Sequence, residues 1–131
     1  MNGAADSRSS VRATLPRAVR LRRKREFDAV FHAKVRVSDA VLTLWARSND
    51  RDVARCGIAV SRRHGDAVVR NRFKRRIRAA FRAVRAELPI GLDLVVRPAL
   101  GPPATVRAYE GALRALAQRV VKRLRGRRDG C

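Results

Sequence analysis

Between Gly57 and Leu88 the chain carries ten Arg or Lys residues against two carboxylates, Asp66 and Glu87. Guanidinium groups bind phosphate through paired N–H donors and stack on bases, so the chemistry offered here is recognition of a polyanion, RNA above all. Groups that could break a bond are sparse by comparison. The eleven carboxylates are scattered, His32 and His64 are the two histidines, and no HExxH, GxSxG or Walker-type loop occurs. Hydrolysis by general acid and base needs a tuned pair of groups, and no spacing supplies one. Asp50 and Asp52 are close, but they sit in a turn-like run and make a poor metal site. His64, between Arg63 and Gly65, reads as an exposed turn residue or a phosphate contact, and His32 as solvent-facing.

Those cations must be positioned by an element with two faces. At about 100° per residue, Phe73, Ile77, Ala80, Phe81, Val84 and Leu88 share one side of a helix, while Asn71, Arg75, Arg78 and Arg82 line the opposite side. One side then packs on a core and the other is offered to phosphate. Arg70 projects near the apolar side, so it must reach out sideways or lie in the first turn. Asp66 after Gly65 is the expected N-cap, and Pro89 with Gly91 the stop.

The rest of the chain supplies the support. Leu21 to Ala33 places Phe27, Val30 and Phe31 at helical spacing among Arg22, Arg23, Lys24 and Arg25, although no Ser, Thr, Asp or Asn stands at its start as a cap. The two Phe side chains suit a core, or an aromatic surface on which a single strand could lie. Ala40 to Ala46 and Val53 to Ser61 read as strands joined by the turn residues 48–52, an antiparallel hairpin by this reading. Gly57 marks a bulge or a close backbone approach, and Trp45 reads as sheet-face packing. Leu92 to Val96 is a further strand, ended by Arg97-Pro98. Tyr109, Leu113, Leu116, Val120 and Leu124 then mark a last amphipathic helix. The order α-β-β-α-β-α predicts an α+β fold, a two-layer α/β sandwich, with room for one extra short strand.

The net charge of +21 on 131 residues fits a protein that lives beside a polyanion. The bias to Arg, with Lys only at 24, 34, 74 and 122, is explained equally by RNA binding or by a GC-rich genome; the net charge is not. Residues 1–14 read as a disordered basic tail, 15–124 as a single domain and 125–131 as a basic C-terminal tail. No stretch approaches a membrane span and residues 1–16 lack a signal-peptide core, so a cytoplasmic location is expected. Cys56 reads as a small buried hydrophobe, and with Cys131 forms no zinc or disulfide pattern.

The run from Gly57 to Arg78, with Gly57-Ile58-Ala59-Val60-Ser61-Arg62-Arg63 leading through Ala67-Val68 to Arg70-Asn71-Arg72-Phe73-Lys74-Arg75-Arg76-Ile77-Arg78, closely resembles the signature of the protein subunit of bacterial ribonuclease P. Leu21, Phe27, Val30 and Phe31 look like that family's first helix, and Asp93 to Pro98 like its last strand. The resemblance therefore spans roughly residues 15–124. It implies a left-handed β-α-β crossover at the basic helix, against the usual hand. It also implies an accessory subunit of an endoribonuclease, a hydrolase whose catalyst is the RNA subunit with bound Mg2+; no active site and no metal is expected in the protein. The ribonucleoprotein removes the 5′ leader from precursor tRNA. The protein would bind the RNA subunit and the leader and lower the magnesium requirement, with no membrane and no obligate protein partner.

Carried over by position, the resemblance assigns Arg70, Asn71, Arg72, Lys74, Arg75 and Arg78 to RNA binding, with Arg62 and Arg63 extending the patch. Phe27 and Phe31 would hold the leader with the adjoining sheet face, where Thr43, Leu44 and Trp45 are all candidates for a cleft residue that is often Tyr. Arg62-Arg63 stands where Lys-Lys is common, and Ala79 where an acidic residue or Gln is frequent. A generic RNA-binding or ribosomal protein, an autonomous nuclease and a major-groove DNA reader are the competing readings; the patterned run speaks against the first, and the others predict protein-only cleavage or a duplex DNA preference.

Overall fold

The computed structural model describes residues 16–129. Three α-helices and a four-stranded sheet follow in the order α1 (Lys24–His32), β1 (Val35–Ser38), β2 (Leu42–Ser48), β3 (Arg55–Ile58), α2 (Ala67–Val84), β4 (Leu92–Pro98) and α3 (Val106–Asp129). The sheet order is β1-β2-β4-β3. β2 pairs antiparallel with both β1 and β4, whereas β3 runs parallel to β4 and is joined to it through α2. The fold is the expected α+β class with the extra short strand present.

The hairpin of β2 with β3 is not formed. The turn at 48–52 lets the chain leave the sheet, and β4 enters between the two strands, gaining seven paired positions with β2 and four with β3. β4 is buried at every position from Leu92 to Val96, with Asp93 the one polar residue among them, and it takes the central place because both of its faces are covered. The turn is closed by Asn49 N–H to Gly91 O at 2.9 Å and Gly91 N–H to Val53 O at 3.1 Å, with Gly91 at φ 82°. Short β1 reads Val-Arg-Val-Ser and alternates buried and exposed, as a strand with one covered face must.

One face of the sheet buries Val35, Val37, Leu42, Leu44, Ala46, Cys56, Leu94 and Val96 against α2 and α3. The six residues assigned to the apolar side of the basic helix, Phe73 through Leu88, are all buried there, as are Tyr109, Leu113, Leu116 and Val120 of α3. α3 continues to Asp129, so 125–129 is helical and extends the last helix into the segment read as a tail. The expected tail 1–14 lies outside the described residues.

The other face holds a smaller cluster, Leu21, Val30 and Val95, with Phe27, Trp45 and Ala59 packed on it. α1 forms this layer. Its missing Ser or Asp cap is replaced by Glu26, whose Oε1 accepts the N–H groups of Arg22 and Arg23, both at 3.0 Å. Those bonds hold the Glu26 carboxyl below its ordinary range.

Both outer strands have part of their free edge covered. On β1, Arg119 Nη1 donates to Ser38 O at 3.0 Å and Arg123 Nη1 to Arg36 O at 2.6 Å. On β3, Leu21 N–H donates to Cys56 O at 2.9 Å, and Arg20 forms a parallel bridge with Cys56.

Candidate nucleic-acid interface

The basic helix begins as its sequence requires. Asp66 Oδ1 accepts Val69 N–H at 3.0 Å, closing the first turn. Asn71, Arg72, Arg75 and Arg78 are exposed, and Arg70 and Lys74 are half-buried at the flank of the helix. Arg76 is turned the other way: its Nη1 donates to Pro103 O at 3.2 Å and Ala104 O at 3.0 Å, tying α2 to the loop before α3.

Arg62 and Arg63 are exposed on the short 3-10 turn 62–64. What fixes that turn is His64, which is buried rather than the exposed turn residue or phosphate contact expected. Its Nδ1 accepts Ser61 N–H at 3.1 Å, which leaves Nε2 to donate to Pro98 O at 2.8 Å. The ring also stands edge-on to Phe73, 5.2 Å between centroids. The turn therefore locks between the end of β4 and the core face of α2, and this is why a histidine is sequestered in so basic a segment. Gly65, at φ 130°, links the turn to α2; a Cβ there would lie 2.9 Å from that of Val69.

Three of the expected residues, Phe27, Lys74 and Arg78, meet across α1, β3 and α2. Phe27 lies over Gly57, where an added Cβ would stand 2.6 Å from its ring, so Gly57 serves a close approach and not a bulge. Beside it a cleft of about 230 Å³ is lined by Arg20, Arg22, Lys74 and Arg78. Burial pulls the Arg78 guanidinium below its ordinary value, and the neighbouring Arg20 adds to this. Arg20 and Arg22 were missed by the sequence reading, because membership depends on 20–21 running along the β3 edge. The Cys56 thiol at the floor is fully enclosed and pushed up to about 12 by burial, partly opposed by Arg78.

Phe31 lies apart from this cleft. It is 36% exposed and meets Trp45 edge-on at 5.0 Å. Thr43 and Trp45 share this face of β2, whereas Leu44 is fully buried on the opposite face, which removes Leu44 and leaves Thr43 and Trp45 as candidates. Arg97 of β4 lies 4.9 Å from the Trp45 ring centroid and Arg36 of β1 lies 5.7 Å from it. A second cleft of about 330 Å³ adjoins them, lined by Thr43, Ser61, Arg63, His64 and Arg97 among others.

A buried ionic chain holds α1 over the sheet. Arg55 grips Asp93 with two bonds of 2.8 Å and reaches Glu26 at 3.3 Å, while Asn49 Nδ2 donates to Asp93 Oδ1 at 2.8 Å. Arg47 adds an ion pair at 3.5 Å. Burial pushes the Asp93 carboxyl up, but the hydrogen bonds from Arg55 and Asn49 and the charges of Arg55 and Arg47 outweigh it, and the group sits below its ordinary value. Its oxygens are thus committed to cations of the protein. Among the described residues no three His, Cys, Asp or Glu side chains converge as metal ligands, and no helix is long and apolar enough to cross a membrane.

The assembled surface has parallels among known proteins. The family model described as Ribonuclease P matches residues 15–124. The ribonuclease P protein component of Brevibacillus brevis is 37% identical over 121 residues, covering 87% of this chain and 96% of the relative. That of Nitrosomonas europaea is 44% identical, over 64% of this chain and 71% of its own. The solved RNase P protein of Thermotoga maritima superposes with a TM-score of 0.69 at 30% identity, covering 76% of this chain and 96% of that one. With these matches running through the basic helix, the sheet and both flanking helices, the chain belongs to the ribonuclease P protein family.

Proposed function

We propose that this chain binds the ribonuclease P RNA through the exposed face of α2 and holds the single-stranded 5′ leader of precursor tRNA between α1 and the sheet. The observation that carries the reading is the continuity of two unlike surfaces. Lys74 and Arg78 of α2 line the same cleft as Phe27 of α1, so a phosphate-binding helix and an aromatic surface share one wall. A structured RNA held by Arg70, Asn71, Arg72, Arg75 and Arg78, with Arg62 and Arg63 beside them, would leave a strand emerging from it next to Phe27 and Phe31.

In this reading the protein contributes charge, shape and position, and hydrolysis belongs to the RNA subunit with its Mg2+. Asp93, the fully buried carboxylate beside α1, is engaged by Arg55, Asn49 and Arg47, and its role in this reading is to hold α1 on the sheet. Neutralised phosphates lower the magnesium needed for RNA folding and substrate docking. With five or six phosphate contacts to structured RNA, log K should fall against log salt at a slope of about −4 to −5. A slope near −1 is incompatible with an extended interface.

The test is cleavage of precursor tRNA at low magnesium in buffer, with protein alone, with the cognate RNA subunit alone, and with both. Cleavage that requires both establishes the accessory role. Cleavage by protein alone would reveal an active site of its own, and no gain over RNA alone would return the chain to the generic RNA-binding class.

A further inference from the structure

The sheet face that carries α1 is only half covered. In register, Arg36, Trp45, Val95 and Gly57 form one row across the four strands, and Ser38, Thr43 and Arg97 the next. Phe27 and Val30 cover the Gly57 and Val95 end, and Phe31 reaches the Trp45 edge. Beyond Phe31 none of the described residues overlies Arg36, Ser38 or Arg97, all three exposed.

Four guanidiniums converge on this open corner. Arg97 and Arg36 both lie against the single Trp45 ring, at 4.9 and 5.7 Å. At the adjoining strand edge, Arg123 and Arg119 each place one nitrogen on the carbonyls of Arg36 and Ser38. Each retains its other donors, since a guanidinium has five. No carboxylate pairs with any of the four among the described residues. The acid nearest in sequence, Asp39, spends Oδ1 on the N–H groups of Val41 and Leu42 at 2.8 and 2.9 Å. Strands lie about 4.8 Å apart and residues about 3.3 Å apart along them, so the diagonal step from Arg97 on β4 across β2 to Arg36 on β1 is about 12 Å. A solvated basic face would leave its side chains free to spread apart. Here like charges are gathered by an indole and by edge carbonyls, a cost that an external polyanion would relieve.

We infer that the path of single-stranded RNA continues past Phe31 over this open corner to the β1–α3 edge, where Arg97, Arg36, Arg123 and Arg119 bind successive backbone phosphates of the far leader. None of the four was among the residues singled out from the sequence. This extension rests on the leader reading above. Because Trp45 is flanked by guanidiniums, bases arriving here stack on an arginine plane and the indole serves as its backing.

The experiment measures binding of precursor tRNA to the complete holoenzyme with leaders of about 4 and about 16 nucleotides, the span of site sizes on single-strand-binding folds. Wild-type protein is compared with Arg36→Ser, with Arg36→Ser/Arg123→Gln, and with Phe31→Ala. Wild type should bind the long leader more tightly. The double variant should lose about tenfold on the long leader and under about twofold on the short one, with its salt slope on the long leader reduced by about 1.4, which is two single-strand contacts. Equal weakening for both leaders, or none for the long one, overturns the extension. If Phe31→Ala abolishes the gain from leader length while the arginine variants keep it, the extended path alone is wrong. If wild type shows no gain from leader length, the leader reading falls with it. Arg36→Ser removes an exposed side chain and its contact with Trp45 but keeps the Arg36 carbonyl that Arg123 binds, so its effect is read free of any loosening of the β1 edge by Arg123→Gln.

Discussion

Replacing Asp93 with Ala tests the reasoning about what holds α1 on the sheet. The Asp93 side chain is fully buried and takes two bonds from Arg55 and one from Asn49, all 2.8 Å. Truncation leaves the Arg55 guanidinium, itself only 9% exposed, with Glu26 at 3.3 Å as its remaining acid. Breaking one side of a buried pair costs about 3–5 kcal/mol. Because Glu26 persists and half-exposed Arg47 marks a route for water, the lower end, about 3 kcal/mol, is expected. At an m-value of about 2 kcal/mol/M, the urea midpoint should fall by about 1.5 M, a large part of a stability of about 5–15 kcal/mol. The double variant Asp93→Leu/Arg55→Leu, which removes both charges, should recover most of the loss. The pH dependence has a definite sign. Folding lowers the Asp93 pKa, so its contribution is complete above the unfolded value of about 3.9 and disappears as pH falls through the folded value. Wild type and Asp93→Asn should therefore converge in stability in acid, separate as pH rises from the folded pKa towards about 4, and differ by a constant amount above it. A loss under about 1 kcal/mol for Asp93→Ala, or a double variant no better than the single, would refute the account of an indispensable buried pair.

Gly57→Ala should push the Phe27 ring off β3, since its new Cβ would stand 2.6 Å from Phe27 Cζ and 3.0 Å from Leu21 Cβ; a melting experiment should show about 1–3 kcal/mol lost, and leader affinity should fall with it. Lys34, just after α1, holds φ 59° and forms no turn that needs its side chain, so Lys34→Gly should stabilise by up to about 1 kcal/mol in chemical denaturation; destabilisation would mean that the left-handed geometry carries no strain. Iodoacetamide at pH 8 should leave Cys56 unmodified in the folded protein and label it after denaturation, because its thiol is buried and raised to about 12; rapid labelling of the native state, read by mass spectrometry, would show that the β3 edge opens.

The helices were legible because their periodicity is local. Phe73 through Leu88 and Tyr109 through Val120 announce their buried sides within a few turns, and Asp66 its cap, with no knowledge of what they pack against. Strand partners were not legible in the same way. β2 and β3 look like a hairpin when only the turn between them is considered, and the insertion of β4 depends on contacts more than thirty residues away. β1 escaped notice because four residues of alternation are too few to stand out. His64 was misplaced for a related reason: its polarity and basic neighbours argue for solvent, and only the Pro98 carbonyl, 34 positions on, explains its burial. The Gly57–Arg78 run named the family, and the fold places Phe27 with Lys74 and Arg78. The fold also set Phe31 apart from them and recruited Arg20, Arg36, Arg55 and Arg97, whose neighbours lie on other strands.

The covered strand edges also bear on how this chain can aggregate or assemble. A free edge is a template for a further strand, and exposed edges drive proteins into fibrils and strand-swapped dimers. Here arginines of α3 occupy the outward carbonyls of β1, and Leu21 occupies that of Cys56 on β3. With these edge carbonyls already occupied, backbone pairing is hindered on both sides and association falls mainly to side chains, which are overwhelmingly cationic. Copies of the chain repel one another, while contacts with a polyanion are strong at low salt and dissolve as salt rises. The arginines proposed to meet RNA thus also guard the β1 edge against another sheet, and a variant that neutralises α3 would trade reversible electrostatic assembly for a tendency to precipitate.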